Sequence, residues 1–118
     1  MAKYITFFTY TTEAWTGMIE SPGDRAAAVQ KLAESMGGSF ECLYWMFGAH
    51  DGFGIINAPD VVSATALSVT IRSSGAFKNV ESYELLTQEQ MSQALSRSKD
   101  ATRAYLAPGR PASPHPGN

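Results

Sequence analysis

The stretch that decides the fold runs from Phe40 to Ala58 and reads FECLYWMFGAHDGFGIINA. It contains two segments rich in aromatic and β-branched residues, a composition that favours strands. Between them lies Gly48-Ala49-His50-Asp51, where glycine and aspartate are typical turn residues. The stretch therefore predicts a β-hairpin with strands over 39–47 and 51–58. Two glycines alternate along the second strand, and a glycine inside a strand usually marks a bulge or the close approach of another group.

The composition predicts one folded domain. The chain has 118 residues, of which 44% are hydrophobic and 17% charged, fewer than the roughly 25% of a typical soluble domain. The net charge is −2 and there is no block of Lys and Arg, so we expect no nucleic-acid partner. No run of about 18 apolar residues and no leader pattern is seen, so we expect no membrane partner and a cytoplasmic location. The single cysteine, Cys42, is predicted to be a buried, inert thiol.

Residue spacing predicts the remaining elements. Apolar residues recur at three and four positions in two segments, which indicates amphipathic helices, and two further β-rich segments indicate strands. The segment 12–20 is expected to be an irregular connector with at most one helical turn. The predicted elements are a strand over 3–11, a helix over 24–36, a helix over 61–74, a strand over 76–86 and a weak helix ending near Lys99.

This order of elements predicts an α+β, ferredoxin-like βαββαβ fold. Right-handed crossovers would place the two main helices on one face of a four-stranded antiparallel sheet, with an extra C-terminal helix. We expect this domain to cover residues 1–99 and a Pro/Gly-rich tail to cover 100–118. The end of the tail cannot build a packed core, and His115 within it is expected to be solvated.

The opposite face of the sheet would have no helix, yet the strands are apolar on both sides. In the first strand Phe8 and Tyr10 point one way while Ile5 and Phe7 point the other. In the second strand, strict alternation would put Phe40, Cys42, Tyr44 and Met46 on one face and Glu41, Leu43, Trp45 and Phe47 on the other. Monomers rarely leave a large apolar patch in water. The sequence therefore predicts a homodimer that packs sheet against sheet, and it leaves a higher oligomer open.

The chain resembles the GYD-domain proteins over about Met1 to Glu89. The resemblance rests on the segments KYITFFTYT, ESPGDRAAAVQKLAESMGG, FGAHDGFGIINAPD and NVESYELLT. The naming motif falls on Gly48, His50 and Asp51, with histidine where tyrosine usually stands. The resemblance implies a ferredoxin-like chain of the dimeric α/β-barrel type. It implies no particular activity.

His50 and Asp51 are the candidate catalytic residues. A histidine titrates near neutral pH and could act as a general base at the mouth of a pocket. The simpler interpretation is that both residues only form the turn. Neighbouring residues in a strand also point to opposite faces, so the two side chains need not meet.

Five aromatic residues are candidates for lining an apolar ligand pocket, or equally for forming core and dimer interface. These are Tyr10, Tyr44, Trp45, Phe47 and Phe53. Arg25 and Arg72 lie near the inward stripes of the helices and could bind an anionic substrate, although an aliphatic stem with a solvated head is the commoner arrangement. The chain offers no zinc-ligand spacing and no phosphate-binding glycine loop, so we expect no metal and no cofactor.

Two hypotheses about function follow from these features. The first is a small homodimeric binding protein that holds a small apolar molecule between sheet and helices. The alternative is a cofactor-independent oxygenase or isomerase-like enzyme, with His50 as acid/base toward an aromatic or quinone-like compound. The hypotheses differ in where His50 lies: in an enclosed cavity for the enzyme, in solvent or at a subunit contact for the binding protein.

Overall fold

The structure is a computed structural model that describes residues 1–111; residues 112–118, including His115, lie outside the described part. Contacts divide the chain after Leu85 into two compact units. The predicted division into a domain 1–99 and a tail 100–118 stays a prediction. The first unit contains β1 (Ala2–Tyr10), α1 (Thr12–Glu20), α2 (Arg25–Ser35), β2 (Ser39–Trp45), β3 (Gly52–Ala58), α3 (Val61–Ser73) and β4 (Phe77–Leu85). The second unit contains α4 (Gln88–Ala101).

The first unit has the predicted ferredoxin-like α+β architecture. Its strands form one antiparallel sheet in the order β2-β3-β1-β4. Ala33 of α2, Ile56 of β3 and Leu67 of α3 form a buried cluster. Because this cluster joins both helices to the same strand, α2 and α3 cover one face of the sheet.

Local signals at the helix starts explain where these helices begin. The side chains of Asp24 and Asp60 accept hydrogen bonds from backbone amides in the first turns of α2 and α3, at 3.0 Å and 2.7 Å. Thr87 and Gln90 form a capping box at the start of α4. Thr11 is the N-cap of α1, and its hydroxyl accepts a hydrogen bond from the amide of Ala14 at 3.1 Å.

Helix α1 is more regular than the sequence predicted. The sequence predicts an irregular connector with at most one helical turn over 12–20, but the segment forms a nine-residue helix. The Thr11 cap was the missing signal, because a capped start stabilises a short helix that would otherwise fray.

A β-bulge in β2 changes which residues share a face. Phe40 pairs with Ile56 and Cys42 with Ile55, so Glu41 is an extra residue with no partner in β3. Phe40 packs against the buried cluster beneath the helices. The predicted grouping of Phe40 with Cys42 and Tyr44 is therefore wrong, because strict alternation does not hold across a bulge.

The carboxylate of Glu41 joins the polar end of the helix-free face. It forms an ion pair with Lys3 at 2.9 Å and accepts a hydrogen bond from Asn57 at 3.1 Å. These contacts with Lys3 and the amide of Asn57 hold the pKa of the Glu41 carboxyl below its usual value.

Glycines on the helix side of β3 serve two different purposes. A Cβ at Gly52 would lie 2.5 Å from Cζ of Phe8 and 2.6 Å from the Tyr44 carbonyl oxygen. A Cβ at Gly54 would meet only the Cys42 carbonyl oxygen, at 3.5 Å. The Phe8 ring thus occupies the space that Gly52 leaves, whereas the space above Gly54 stays open.

We expect Gly52→Ala to lower the free energy of unfolding by about 1–3 kcal/mol, the usual cost of overpacking a core. Gly54→Ala should be neutral or slightly stabilising, because the methyl group has room and glycine in a strand interior costs conformational entropy. Urea unfolding monitored by circular dichroism measures both. Equal stability of the two variants would contradict this account of Phe8 packing.

Candidate ligand-binding site

A cavity of about 90 Å³ lies between the helix-covered face of the sheet and the helices α2 and α3. Its walls are mainly apolar. Val29 and Leu32 of α2 face Phe8 of β1, while Leu67 and Ile71 of α3 contribute the other side. Gly54 lies in the sheet that forms its floor, so the absence of a side chain there adds to its volume. An apolar hollow with a few polar groups is the usual form of a small-molecule site.

The polar groups of the cavity include Thr6, Tyr10 and Arg25. The hydroxyl oxygens of Thr6 and Ser82 share a hydrogen bond of 2.9 Å, so Thr6 already has a partner. Burial raises the pKa of the Tyr10 phenol, while the charge of the nearby Arg25 guanidinium acts in the opposite direction. The phenol and the guanidinium therefore form a polar corner in an otherwise apolar space.

Arg25 also lines a second hollow on the outside of the cavity. This outer pocket has a volume of about 240 Å³, and Trp15, Met18 and Trp45 contribute to its walls. The ring centroids of Trp15 and Trp45 lie 5.9 Å apart, and Trp45 stacks on Tyr10 with a centroid distance of 5.7 Å. Arg25 thus stands at the boundary between the cavity and the outer pocket.

His50 lies on the opposite side of the sheet. Its Nε2 is 2.9 Å from a carboxylate oxygen of Glu81, and its ring centroid is 5.2 Å from that of Phe7. Its Nδ1 is buried and has no hydrogen-bond partner. Phe7 and Glu81 pair with each other across β1 and β4, so His50 covers the end of the helix-free face.

Asp51 has a structural task that does not involve His50. A carboxylate oxygen accepts a hydrogen bond from the amide of Tyr10 at 2.8 Å, and its own amide donates to the Phe8 carbonyl at 2.8 Å. Its carbonyl accepts from the amide of Met46 at 2.8 Å, which closes the hairpin loop. The two candidate catalytic side chains are therefore engaged with different elements and are not brought together.

The five aromatic candidates are divided among four places. Tyr10 lines the cavity and Trp45 lines the outer pocket. Tyr44 and Phe53 lie together on the helix-free face, with ring centroids 5.7 Å apart. Phe47 is fully exposed in the hairpin loop.

Two residues gain importance from the structure. Trp15 is not among the site residues predicted from the sequence, although its position four residues after the capping Thr11 places it one turn into a helix. The sequence predicts Arg25 only as one of two arginines near the sheet. Arg72 differs from it, because its guanidinium donates to the Val80 carbonyl at 2.6 Å and to Ser68 at 3.1 Å.

Over residues 1–111, no group of three or more His, Cys, Asp or Glu side chains is placed to hold a metal ion. In the same part of the chain, no helix has the length and apolarity needed to cross a membrane.

Sheet order, helix placement and the cavity between them define a small α+β protein with a ferredoxin-like sheet. The model of the GYD domain matches residues 4–95, which is most of the chain, and the protein belongs to the GYD domain family. No curated protein sequence matches it. Among solved structures it is similar to the crystal structure of FFRP-DM1, with a TM-score of 0.53 and 9% identity over 73% of this chain and 100% of that one. At that identity the likeness shows the fold alone.

We expect Asp51→Ala to destabilise the protein by about 1–3 kcal/mol, because it leaves the partly buried amide of Tyr10 without an acceptor. Asp51→Asn, which keeps a side-chain oxygen, should cost less. Chemical denaturation measures both. If Asp51→Ala proved as stable as wild type, the hydrogen bond to the Tyr10 amide would not contribute to the stability of the fold.

Proposed function

We propose that this protein is a homodimer that binds a small, largely apolar molecule between its sheet and its helices. The observation that carries the proposal is the cavity of about 90 Å³, whose apolar walls enclose one polar corner formed by Tyr10 and Arg25. Apolar walls supply binding free energy and a few polar groups fix the orientation of a ligand.

The homodimer is supported by the helix-free face of the sheet. Tyr44 and Tyr83 are 60% and 53% exposed there. Phe7 links them to the rest of the face: its ring lies 6.0 Å from Phe53 and 6.3 Å from Tyr83. No helix of the first unit covers these rings. A contiguous aromatic surface of this kind is typical of an interface, and a two-fold pairing of identical faces would bury it.

The enzyme alternative receives no comparable support. Nε2 of His50 is engaged by Glu81, and Nδ1 is buried. His50 does not line the cavity. Because general acid/base catalysis needs a titrating atom within hydrogen-bond reach of the substrate, the geometry favours binding over catalysis.

For the dimer, we expect light scattering at micromolar concentration to give a mass of twice 12.7 kDa for the wild type. Tyr83→Glu should shift the protein toward monomers, because it places a charge in the apolar interface. Val62→Glu is the matched control: Val62 is 74% exposed on α3, so the same charge there should leave the mass unchanged. A wild-type mass of one chain would refute the dimer.

For the cavity, we expect butan-1-ol to shift the NMR methyl signals of Val29, Leu32 and Leu67 in the full chain. Gly54→Val should abolish the shifts, because its methyl groups would occupy the space above the sheet. Lack of saturable shifts at these methyls in the wild type would contradict ligand binding in this cavity.

A further inference from the structure

Within residues 1–111, the Arg25 guanidinium at the edge of the cavity has no ion-pair partner. The ion pairs in this part of the chain are Lys3 with Glu41 and His50 with Glu81, and neither involves Arg25. The carboxylates of Asp24 and Asp51 both accept hydrogen bonds from backbone amides. Asp24 accepts from the Ala27 amide at 3.0 Å, and Asp51 accepts from the Tyr10 amide at 2.8 Å.

Arg25 is also only partly exposed. It lines both the apolar cavity and the outer pocket. A guanidinium without a carboxylate partner attracts an anion, and its planar fork of donors matches a carboxylate in particular.

The volume of the cavity sets the size of the apolar group that the cavity can hold by itself. Benzene binds to an apolar protein cavity of about 150 Å³. The present cavity is smaller, at about 90 Å³. It suits a chain of about four carbon atoms, with the charged end left at the boundary where Arg25 stands.

From these observations we propose that the ligand class of this site is a short-chain monocarboxylate. Its carboxylate binds the Arg25 guanidinium beside the Tyr10 hydroxyl, and its alkyl chain enters the cavity over Gly54. Trp15 and Trp45 stand at the mouth of the site. This inference rests on the proposed ligand-binding function and adds the charge, size and orientation of the ligand.

The test compares butanoate with butan-1-ol, which have the same chain length and differ in the charge of the head group. The chain contains two tryptophans, and both lie at the mouth, so intrinsic fluorescence of the full chain reports on this site. Both probes are titrated at constant ionic strength and pH 7. Because a charge-assisted hydrogen bond is worth more than a neutral one, butanoate should bind at least about tenfold more tightly than butan-1-ol.

Arg25→Gln should remove this preference, so that butanoate and butan-1-ol bind about equally, while the affinity for butan-1-ol stays nearly unchanged. The matched control is Lys31→Gln, which removes the same charge from an exposed position on the same helix and should keep the preference. Thermal unfolding of each variant checks that it is folded. If Arg25→Gln does not fold, Gly54→Val provides the second arm, because blocking the cavity should weaken both probes in parallel.

The outcomes separate the two proposals. Equal affinity of the wild type for both probes, or a preference for butanoate that survives in Arg25→Gln, overturns the carboxylate assignment but not the cavity. Unweakened butanoate binding in folded Gly54→Val also overturns the assignment. Failure of both probes to bind the wild type overturns the proposed ligand-binding function as well.

Discussion

The contact between Phe8 and Gly52 is the constraint on which the helix-covered side of the sheet depends. The two residues are opposite each other in the β1–β3 pairing, and the ring of Phe8 lies where a side chain at position 52 would begin. From there the ring meets Tyr10 and Phe77 edge-on, at centroid distances of 5.1 Å and 6.0 Å. This aromatic cluster fills one end of the space under the helices. Two residues further along β3, no ring lies over Gly54, and the cavity is the space that remains.

The hairpin loop serves both sides of the sheet through two consecutive residues. His50 turns to the helix-free face and contacts Phe7 and Glu81. Asp51 binds the end of β1 through the Tyr10 amide. Their side chains separate because consecutive residues near a strand point to opposite sides. What resembles a catalytic pair in the sequence is therefore a junction that ties the loop to β1 and β4.

Much of this architecture could be predicted from the sequence, because strong periodicity and turn residues mark the strands, α2 and α3. The bulge at Glu41 could not, since an extra residue in a strand leaves no sign in a pattern of alternate apolar residues when both faces are apolar. The candidate site was harder to predict from the sequence than the fold. Whether Arg25 or Arg72 is engaged depends on which backbone carbonyls lie within reach, and only the packing of α3 against β4 brings Arg72 to Val80. Residue spacing predicts that both arginines lie near the sheet and cannot rank them.

The two apolar faces of the sheet are covered differently: helices α2 and α3 cover one, and the proposed dimer partner would cover the other. The alternating side chains of β3 show which residues belong to each face. Its odd-numbered residues Phe53 and Ile55 belong to the helix-free face, while Gly54 and Ile56 belong to the cavity side, with Gly54 in its floor and Ile56 in its core cluster. A side chain changed on one face projects away from the other, so a charge at the proposed dimer interface does not enter the cavity. Coupling between the faces would have to pass through the backbone of β1, where Asp51 holds the Tyr10 amide and Tyr10 meets Arg25. A connection between the proposed assembly and the proposed ligand binding would therefore pass through the end of β1 and not across the sheet.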